Sequence, residues 1–583
     1  MARMDKKWVV LPPAEAQFVQ DFPQLQPIVA DLLFRRGIVT QDKIDEFLNP
    51  DYGQDQHDPF LFSQMQTAVQ RVKDAISRKE KITIHGDYDA DGLSGAVILH
   101  STLQLLGAEH INVYLPDRER EGYGVNAKTI AYLYDQGTRL IITCDCGISN
   151  YDEIDQARGL GMDVIVTDHH AQKNQLPNAI LLHPKVLGET YPFKDLAGGG
   201  VAFKLAQALL RDAVKDTPAK RESYESFEKW LLDMVAISSV ADMVPLIGEN
   251  RTLVKYGLTV LSKARRIGMK AIFTAAGILP TKQGKELNLT TYEVGFIIAP
   301  RLNAAGRMDH ANAAFAAIVA QDAVQAATLA EKLEQTNRER QVLTEKTVNE
   351  AIAQIGEVEP NKPQVLVAYD PNWSVGVAGL IASRVCEKYH LPVFILAQIN
   401  GQIAGSGRSP DGFDCTLAMN ATKDLYLKFG GHKNACGLTL VDNEKLQEFK
   451  DRMNEFASRT MSIEDTVPKL VIDGEVPLNR ITWDFYEQLS KFEPYGMGNP
   501  QPKFVSRGVT VVELSAIGKE RNHMRLSVTS DQKMFRKAIG FRFGAWCEKI
   551  KPGDKIDIVY YVDVNEWNGN RELQLKIVDL KLS

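Results

Sequence analysis

The stretch Lys81-Ile-Thr-Ile-His85-Gly-Asp87-Tyr-Asp89-Ala-Asp91-Gly92 decides how this chain is read. Lys81–His85 is a short β-branched run of strand type. The Gly- and Asp-rich turn after it opens into a helical run through Val97, Leu99, Leu103 and Leu106. One imidazole and three carboxylates therefore gather at the carboxyl end of one strand. Like charges so close repel, and burial raises their pKa values unless a cation compensates. A lone Asp-x-Asp is most simply a solvated turn, but this one does not stand alone.

Outward from it, strands at Ile111–Leu115, Leu140–Thr143, Asp163–Thr167 and Ala179–His183 alternate with helical runs near Ala127–Tyr134 and Ile154–Arg158. Such alternation implies right-handed crossovers and a mostly parallel sheet. Parallel sheets bind ligands just outside the carboxyl ends of their strands. The third strand ends Thr143-Cys-Asp145-Cys-Gly147 and the fourth ends Thr167-Asp168-His169-His170, so three strands deliver Asp and His to one sheet edge. Asp242, in Ser238-Ser-Val-Ala-Asp242-Met, interrupts an apolar helical run, and a buried Asp needs a partner. Taken by itself, a helix cap or salt bridge explains it as well.

Mixed imidazole and carboxylate donors suit manganese, with magnesium as a substitute; zinc is less suited without thiolates. Six or seven candidate ligands exceed the needs of one ion. Two ions about 3.5–4 Å apart, sharing a carboxylate, would polarise a phosphate and activate a water. Cys144 and Cys146 alternate across the strand, cannot both face one ion, and are read as small strand-end residues.

The 583 residues suggest about four domains at roughly 150 residues each. Residues 1–66 read as a peripheral N-terminal cap with a helix near Ile28–Phe34, and 67–320 as the sheet domain. Between Gly306 and Gly356 there is no Gly or Pro, which predicts a connecting helix over 321–357. A second α/β domain follows over 358–462, with strands Gln364–Tyr369, Val393–Ala397 and Gln402–Ser406 and helices Gly379–Lys388 and Thr416–Lys428. Residues 466–583 carry short alternating strands, such as Lys533–Arg542 and Ile556–Val564, and read as a small all-β barrel.

Hydrophobic residues at 44% and charged residues at 24% exclude a disordered or collagen-like chain. No uncharged apolar run is long enough for a membrane-spanning helix, and the basic start before Pro12 lacks the apolar core of a secretory signal. Six cysteines without a Cys-x-x-Cys pair exclude a disulfide framework and a zinc knuckle, and fit a reducing cytoplasm. The net charge of −6 discourages a polyanionic partner only as an average. Lys503–Lys551 holds eleven Lys/Arg against four Asp/Glu, a local +7. There Arg536, Lys537 and Arg542 interleave with Phe535, Phe541, Phe543 and Trp546. Basic side chains track a phosphate backbone and aromatic faces stack on unpaired bases at about 1–3 kcal/mol each. At least half of these aromatics are expected in the barrel core.

His85-x-x-x-Asp89-x-Asp91, the isolated Asp145, Asp168-His169-His170 and Asp242 together resemble the four motifs of the DHH phosphoesterase superfamily. Gly430-Gly-His432-Lys-Asn-Ala-Cys-Gly437 resembles the Gly-Gly-His segment of the DHH-associated domain. Glu493-Pro-Tyr-Gly-Met-Gly-Asn-Pro resembles the linker into an oligonucleotide-binding (OB) barrel. Within the superfamily, the resemblance narrows to the RecJ family of bacterial single-strand-specific exonucleases and covers nearly the whole chain. It implies an α/β fold: a mostly parallel-sheet DHH domain, a smaller α/β DHH-associated domain joined by a long helix, and a C-terminal all-β OB-type barrel.

Carried over by position, the resemblance implies that His85 and Asp89 hold one metal and Asp91, His169 and Asp242 the other, with Asp145 bridging. Asp87, Asp168 and His170 would be catalytic, His170 nearest the scissile phosphate. The chain departs from the family pattern in two places: at Cys146, where Asn often follows the bridging Asp, and in the Gly-Gly-His segment at Lys433 and Cys436, where small residues usually stand. Gly405-Ser406-Gly-Arg408-Ser409 and Gly430-Gly431-His432 read as small-residue turns bearing a cation or an imidazole, suited to phosphate. Plain Gly-rich turns are the simpler reading without the resemblance. With Arg301 and Arg307, unusual in their apolar neighbourhood, they resemble a pocket for a terminal 5′ phosphate. Arg536, Lys537, Arg542 and Phe541 would track the strand.

The activity implied is 5′-to-3′ digestion of single-stranded DNA to 5′ mononucleotides with two divalent ions, Mn2+ or Mg2+, in recombination and repair. The implied setting is a cytoplasmic monomer, away from membranes, with a single-strand-binding protein as partner. One alternative is a phosphodiesterase acting on short oligoribonucleotides or cyclic dinucleotides, against which the basic barrel argues. Another is a non-catalytic single-strand-binding scaffold, which lost ligands would mark.

Overall fold

The quoted stretch lies in a sheet of five parallel strands: β1 (Lys81–Gly86), β2 (Ile111–Tyr114), β3 (Thr138–Cys144), β4 (Asp163–Thr167) and β5 (Ile180–Leu182). The computed structural model describes residues 6–117, 121–172, 175–278, 287–308, 311–567 and 570–583. The strand order is β2-β1-β3-β4-β5. Ile82, Ile84, Leu140, Ile142 and Ile165 are fully buried, the near-continuous apolar reading of strands covered on both faces. The chain leaves β1 for β2 on one side and returns to β3 on the other, so the order reverses between β1 and β3, where such sheets bind ligands.

Four helices frame that edge: α1 (Ala90–Leu105), α2 (Gly198–Asp216), α3 (Leu232–Ala241) and α4 (Ala299–Met308). The connecting helix is α5 (Ala323–Ile355). The Asp322 side chain accepts from the Gln325 amide at 2.8 Å at its start, and Gly356 takes φ 72° at its end. The Gly- and Pro-free run is thus broken ahead of α5, as its length required.

The second sheet comprises β6 (Leu366–Tyr369), β7 (Val393–Ile399), β8 (Gln402–Arg408), β9 (Tyr426–His432) and β10 (Ala435–Leu440), in the order β9-β10-β8-β7-β6. Helix α6 (Val375–Tyr389) links β6 to β7, and only that pair is parallel. Two expectations are corrected here. The helix expected over Thr416–Lys428 covers only Cys415–Ala421, because Tyr426 onward pairs with β10. The two Gly-rich segments are strands, not turns. A Cβ on Gly405 would stand 2.0 Å from the Ile395 carbonyl oxygen, and one on Gly407 2.5 Å from the Phe394 ring. These glycines answer close approach of the neighbouring strand β7.

His57–Asp242 and Tyr256–Pro468 form one compact unit. Lys6–Gln56, Met243–Lys255 and Lys469–Ser583 form the other. The expected cap is therefore not a separate body. Lys7–Val10 pairs in parallel with Lys469–Ile472. Leu32, Leu33, Ile44 and Phe47 share a core with Phe485, Phe492 and Phe504, which covers the apolar faces of short helices that could not bury themselves.

The barrel strands are β11 (Phe504–Ile517), β12 (His523–Thr529), β13 (Phe535–Gly540), β14 (Lys555–Trp567) and β15 (Asn570–Leu582). Their order β11-β12-β13-β15-β14 is closed by pairing of β14 with β11. Among the expected aromatics, Phe543 is buried while Phe535 and Phe541 are half exposed. No described helix is long and apolar enough to cross a membrane.

Candidate metal centre

The β1 turn feeds its carboxylates into α1. Asp89 caps that helix, its Oδ1 accepting from the amides of Asp91 at 2.9 Å and Gly92 at 3.2 Å. Asp91 points instead at the start of α2. Its Oδ2 accepts from the Gly198 amide at 2.8 Å, and its Oδ1 from the Gly199 amide at 2.7 Å and Ser238 Oγ at 2.6 Å. A Cβ on Gly198 would lie 2.5 Å from that of Asp145, so only glycine lets this helix terminus approach the carboxylates.

Asp145 leaves β3 in the left-handed region at φ 62°, its amide tied to the Thr167 carbonyl at 2.9 Å. Asp168 anchors the next turn: Oδ2 accepts from the Ile148 amide at 2.9 Å, and Oδ1 from the amides of His169 at 2.7 Å and His170 at 3.1 Å. Asp242 sits at the carboxyl end of α3.

These turns converge. His169 Nε2 lies 3.1 Å from Asp145 Oδ1, 3.5 Å from Asp242 Oδ2 and 3.8 Å from Asp91 Oδ2. Three overlapping groups bring their donor atoms within 4.8 Å of one another: Asp87, Asp89 and Asp145; Asp91, His169 and Asp242; Asp145, His169 and His170. Asp145 belongs to two of them. Expected metal ligands and expected catalytic residues thus intermingle, with Asp87 and His170 inside the groups. His85 is outside them. Its buried Nε2 has no hydrogen-bond partner among the described residues, and its Nδ1 is 3.7 Å from Cys146 Sγ. Cys146 thus lies behind the imidazole, and Cys144 is buried within β3.

The electrostatics follow from burial. Burial, then its carboxylate neighbours, holds Asp145 well above the usual carboxylate range and raises Asp89. The same causes lift Asp242 to about 8. Burial lowers His85 and His169 to about 4, leaving neutral imidazoles with a lone pair to offer. Crowded carboxylates, neutral imidazoles and the buried His85 Nε2, Asp145 Oδ1 and His169 Nε2, none of which makes a hydrogen bond among the described residues, suit divalent cations.

The expected phosphate-binding residues divide. Arg307 Nη1 donates to the Gly376 carbonyl at 2.9 Å in the first turn of α6, and a Cβ on Gly379 of that helix would be 2.8 Å from Arg408 Nη2 and 3.6 Å from Ser406 Oγ. Arg307, Ser406 and Arg408 therefore border one helix. Arg301 does not join them: its guanidinium is engaged by Glu334 at 2.6 Å and the Ile297 carbonyl at 2.7 Å. Gly431 and His432 end β9, with Gly431 at φ 148° opposite Cys436. On the barrel, Lys537 pairs with Glu572 at 2.8 Å, the Arg542 amide donates to His523 Nδ1 at 3.0 Å, and Arg536 donates to the Ile481 carbonyl.

Three residues escaped the sequence reading. Tyr123 Oη contacts the Asp145 carbonyl and His170 Nδ1, both at 3.0 Å; its signal was an aromatic between Gly122 and Gly124. Ser238, four before Asp242 on the same helix face, reaches Asp91. Asn303 Oδ1 receives the Ala90 amide at 2.7 Å, and no sequence signal marked it.

Residues 81–238 match the DHH family N-terminal domain, 362–459 the DHHA1 domain and 472–579 the RecJ OB domain. Fold and site thus define a DHH-class protein extended by an OB barrel. The single-stranded-DNA-specific exonuclease RecJ of Bacillus subtilis strain 168 is 36% identical, over 96% of this chain and 68% of its own. That of Escherichia coli K12 is 30% identical over 98% and 99%. The crystal structure of RecJ with Mn2+ from Thermus thermophilus superposes with a TM-score of 0.81 at 28% identity, over 99% of this chain and 80% of that one. The chain belongs to the RecJ family.

Proposed function

We propose that this protein is a single-stranded-DNA-specific exonuclease that hydrolyses phosphodiester bonds with two divalent ions, Mn2+ or Mg2+, from the 5′ end. The observation that supports it most is the convergence of three strand ends and the end of α3 on overlapping donor groups centred on Asp145. Asp89, Asp91, Asp145, His169 and Asp242 would hold the ions, joined by Asp87 and His85. Bound there, the ions polarise the phosphate and lower the pKa of the attacking water.

The remaining residues position and exclude. Asp168 holds the His170 ring through Nδ1, leaving Nε2 to meet a phosphate oxygen. Tyr123 fixes the same ring and the Asp145 backbone. Arg307, Ser406 and Arg408, gathered at α6, would take a terminal 5′ phosphate, which only a strand end can present, and so set polarity. Arg536, Lys537, Phe541 and Arg542 would guide the strand along the barrel. The enzyme would act as a cytoplasmic monomer in recombination and repair, on strands delivered by a single-strand-binding protein.

The test is single-stranded DNA labelled separately at each end, digested with Mn2+ or Mg2+ beside an Asp89→Ala control. Early release of the 5′ label, absent in the control, is expected. Internal cuts or first loss of the 3′ label would refute the polarity.

A further inference from the structure

Helix Trp483–Ser490 precedes the barrel, and its first residue meets the barrel's outer wall. There a pocket of about 350 Å³ is lined by Trp483, Phe535, Arg536, Arg571 and Glu572. The sequence reading gave Trp483 and Arg571 no role, and the metal centre does not use them. Trp483 is 40% exposed and Phe535 50%, a large solvent-facing aromatic area for one site. The Arg571 guanidinium stands 5.4 Å from the Trp483 ring centroid. Arg536 turns toward the same place, anchored to the Ile481 carbonyl, and its buried Nε has no hydrogen-bond partner among the described residues. Glu572, the lining carboxylate, is neutralised by Lys537 at 2.8 Å, so the site is cationic.

The pocket opens onto a continuous strip. Alternate residues of a strand share a face, so Phe535, Lys537 and Ile539 follow one another outward along β13. Ile539 stands in register with Arg525 on one side and Lys576 on the other. Lys576 Nζ lies 5.6 Å from the Phe541 ring. Aromatic rings at both ends of a basic strip suit a strand whose bases are unpaired. A π-face stacks on any base, and a guanidinium grips a phosphate as a planar fork.

We propose that this pocket holds one unpaired nucleotide of the bound strand, its base against Trp483 and Phe535 and its phosphate at Arg571 and Arg536. The proposal rests on the reading of the barrel as a single-strand binder and extends it to a discrete nucleotide site. Volume supports the assignment, since about 300 Å³ and upward suits small-molecule sites.

The experiment measures equilibrium binding of a fluorescein-labelled thymidine 20-mer to the full-length protein in EDTA, which prevents cleavage. Trp483→Ala and Arg571→Ala should each raise Kd about 5-fold or more, while Trp483→Phe stays near wild type. An abasic residue scanned along the oligonucleotide should weaken wild type at one register and leave Trp483→Ala unaffected there. If Trp483→Ala does not fold, the exposed Arg571→Ala and the abasic scan on wild type still decide. Wild-type binding with unchanged Kd in the variants overturns the pocket alone. Wild type that fails to bind the 20-mer overturns the pocket together with the reading of the barrel.

Discussion

Asp168 Oδ1 and His170 Nδ1 stand 2.9 Å apart, two residues from each other on a turn that the same oxygen also holds through two amides. Burial works against both charges, but the pairing and the amide bonds win. Asp168 falls to about 2, and Asp168 with Asp242 and Asp91 lifts His170 to about 9. The depressed Asp168 stabilises the fold above its unfolded pKa near 4 and loses that contribution as pH falls toward 2. The raised His170 stabilises it below about 6.5 and loses that contribution as pH rises through 9. In metal-free protein, the difference in urea midpoint between wild type and His170→Gln should therefore be largest near pH 5.5. It should shrink by pH 9.5; a difference that grows with pH would contradict the pairing.

Asp145 has the most crowded carboxylate, raised by burial first and then by Asp91, Asp89, Asp87 and Asp242. Without a cation, Asp145→Asn relieves that repulsion at little cost in shape. Its metal-free thermal midpoint should equal or exceed that of wild type. Saturating Mn2+ should raise the wild-type midpoint, by about 2.7 kcal/mol of stabilisation at a hundredfold excess over Kd, and should barely move the variant. Activity should fall at least about a thousandfold, since this one ligand belongs to two of the three donor groups. Differential scanning calorimetry with and without Mn2+ checks the first part and single-strand digestion the second.

The catalytic sheet was legible because its chemistry is local. Asp and His stand at strand ends, and β-branched runs alternate with helical runs along the chain. The DHH-associated domain was less so. Its glycines looked like turns because sequence reports the residue and not the neighbour: what makes Gly405 and Gly407 necessary is a strand and a ring lying against them. Arg301 misled for a similar reason. An Arg in an apolar run signals a partner, but the partner is Glu334, on a helix begun some twenty residues later. Asn303 and the association of residues 6–56 with the barrel rest wholly on long-range packing, which leaves no periodic trace.

Arg408 and Arg301 make a paired test of the phosphate reading. Arg408 borders α6 with Ser406, whereas Arg301 is committed to Glu334 and the Ile297 carbonyl. Arg408→Ala should slow digestion of 5′-phosphorylated strands about 10- to 100-fold, the worth of a charge-assisted contact of about 1.5–3 kcal/mol. It should affect 5′-hydroxyl strands much less. Arg301→Ala should show no such preference and should instead lower thermal stability modestly, by removing one of the two arginines paired with Glu334 while Arg338 stays in place at 2.8 Å. Initial rates on the two substrates separate the outcomes; equal slowing of both by Arg408→Ala would remove it from the end-binding pocket.

Arg251 has the largest of the fully buried side chains, 1% exposed, and among the described residues it has no carboxylate partner. Its guanidinium donates instead to the backbone carbonyls of Phe47 at 2.8 Å, Lys491 at 2.7 Å, Phe492 and Glu493 at 2.9 Å, and lies 3.9 Å from the Phe47 ring centroid. Burial lowers it to about 10, which still leaves it charged at neutral pH. One side chain thus ties the Met243–Lys255 segment to both the N-terminal helices and the linker before the barrel. Arg251→Met keeps the stem but strands four carbonyls, each costing about 1–3 kcal/mol when buried without a donor. Arg251→Lys reaches fewer of them and should fall between. Urea unfolding followed by hydrogen exchange should show protection lost across Lys6–Gln56 and Lys469–Ser583. Exchange in β1 to β5 should change little, and Mn2+ should still stabilise the unit that contains them. Uniform loss across both units would mean that Arg251 supports the whole chain and not the barrel unit alone.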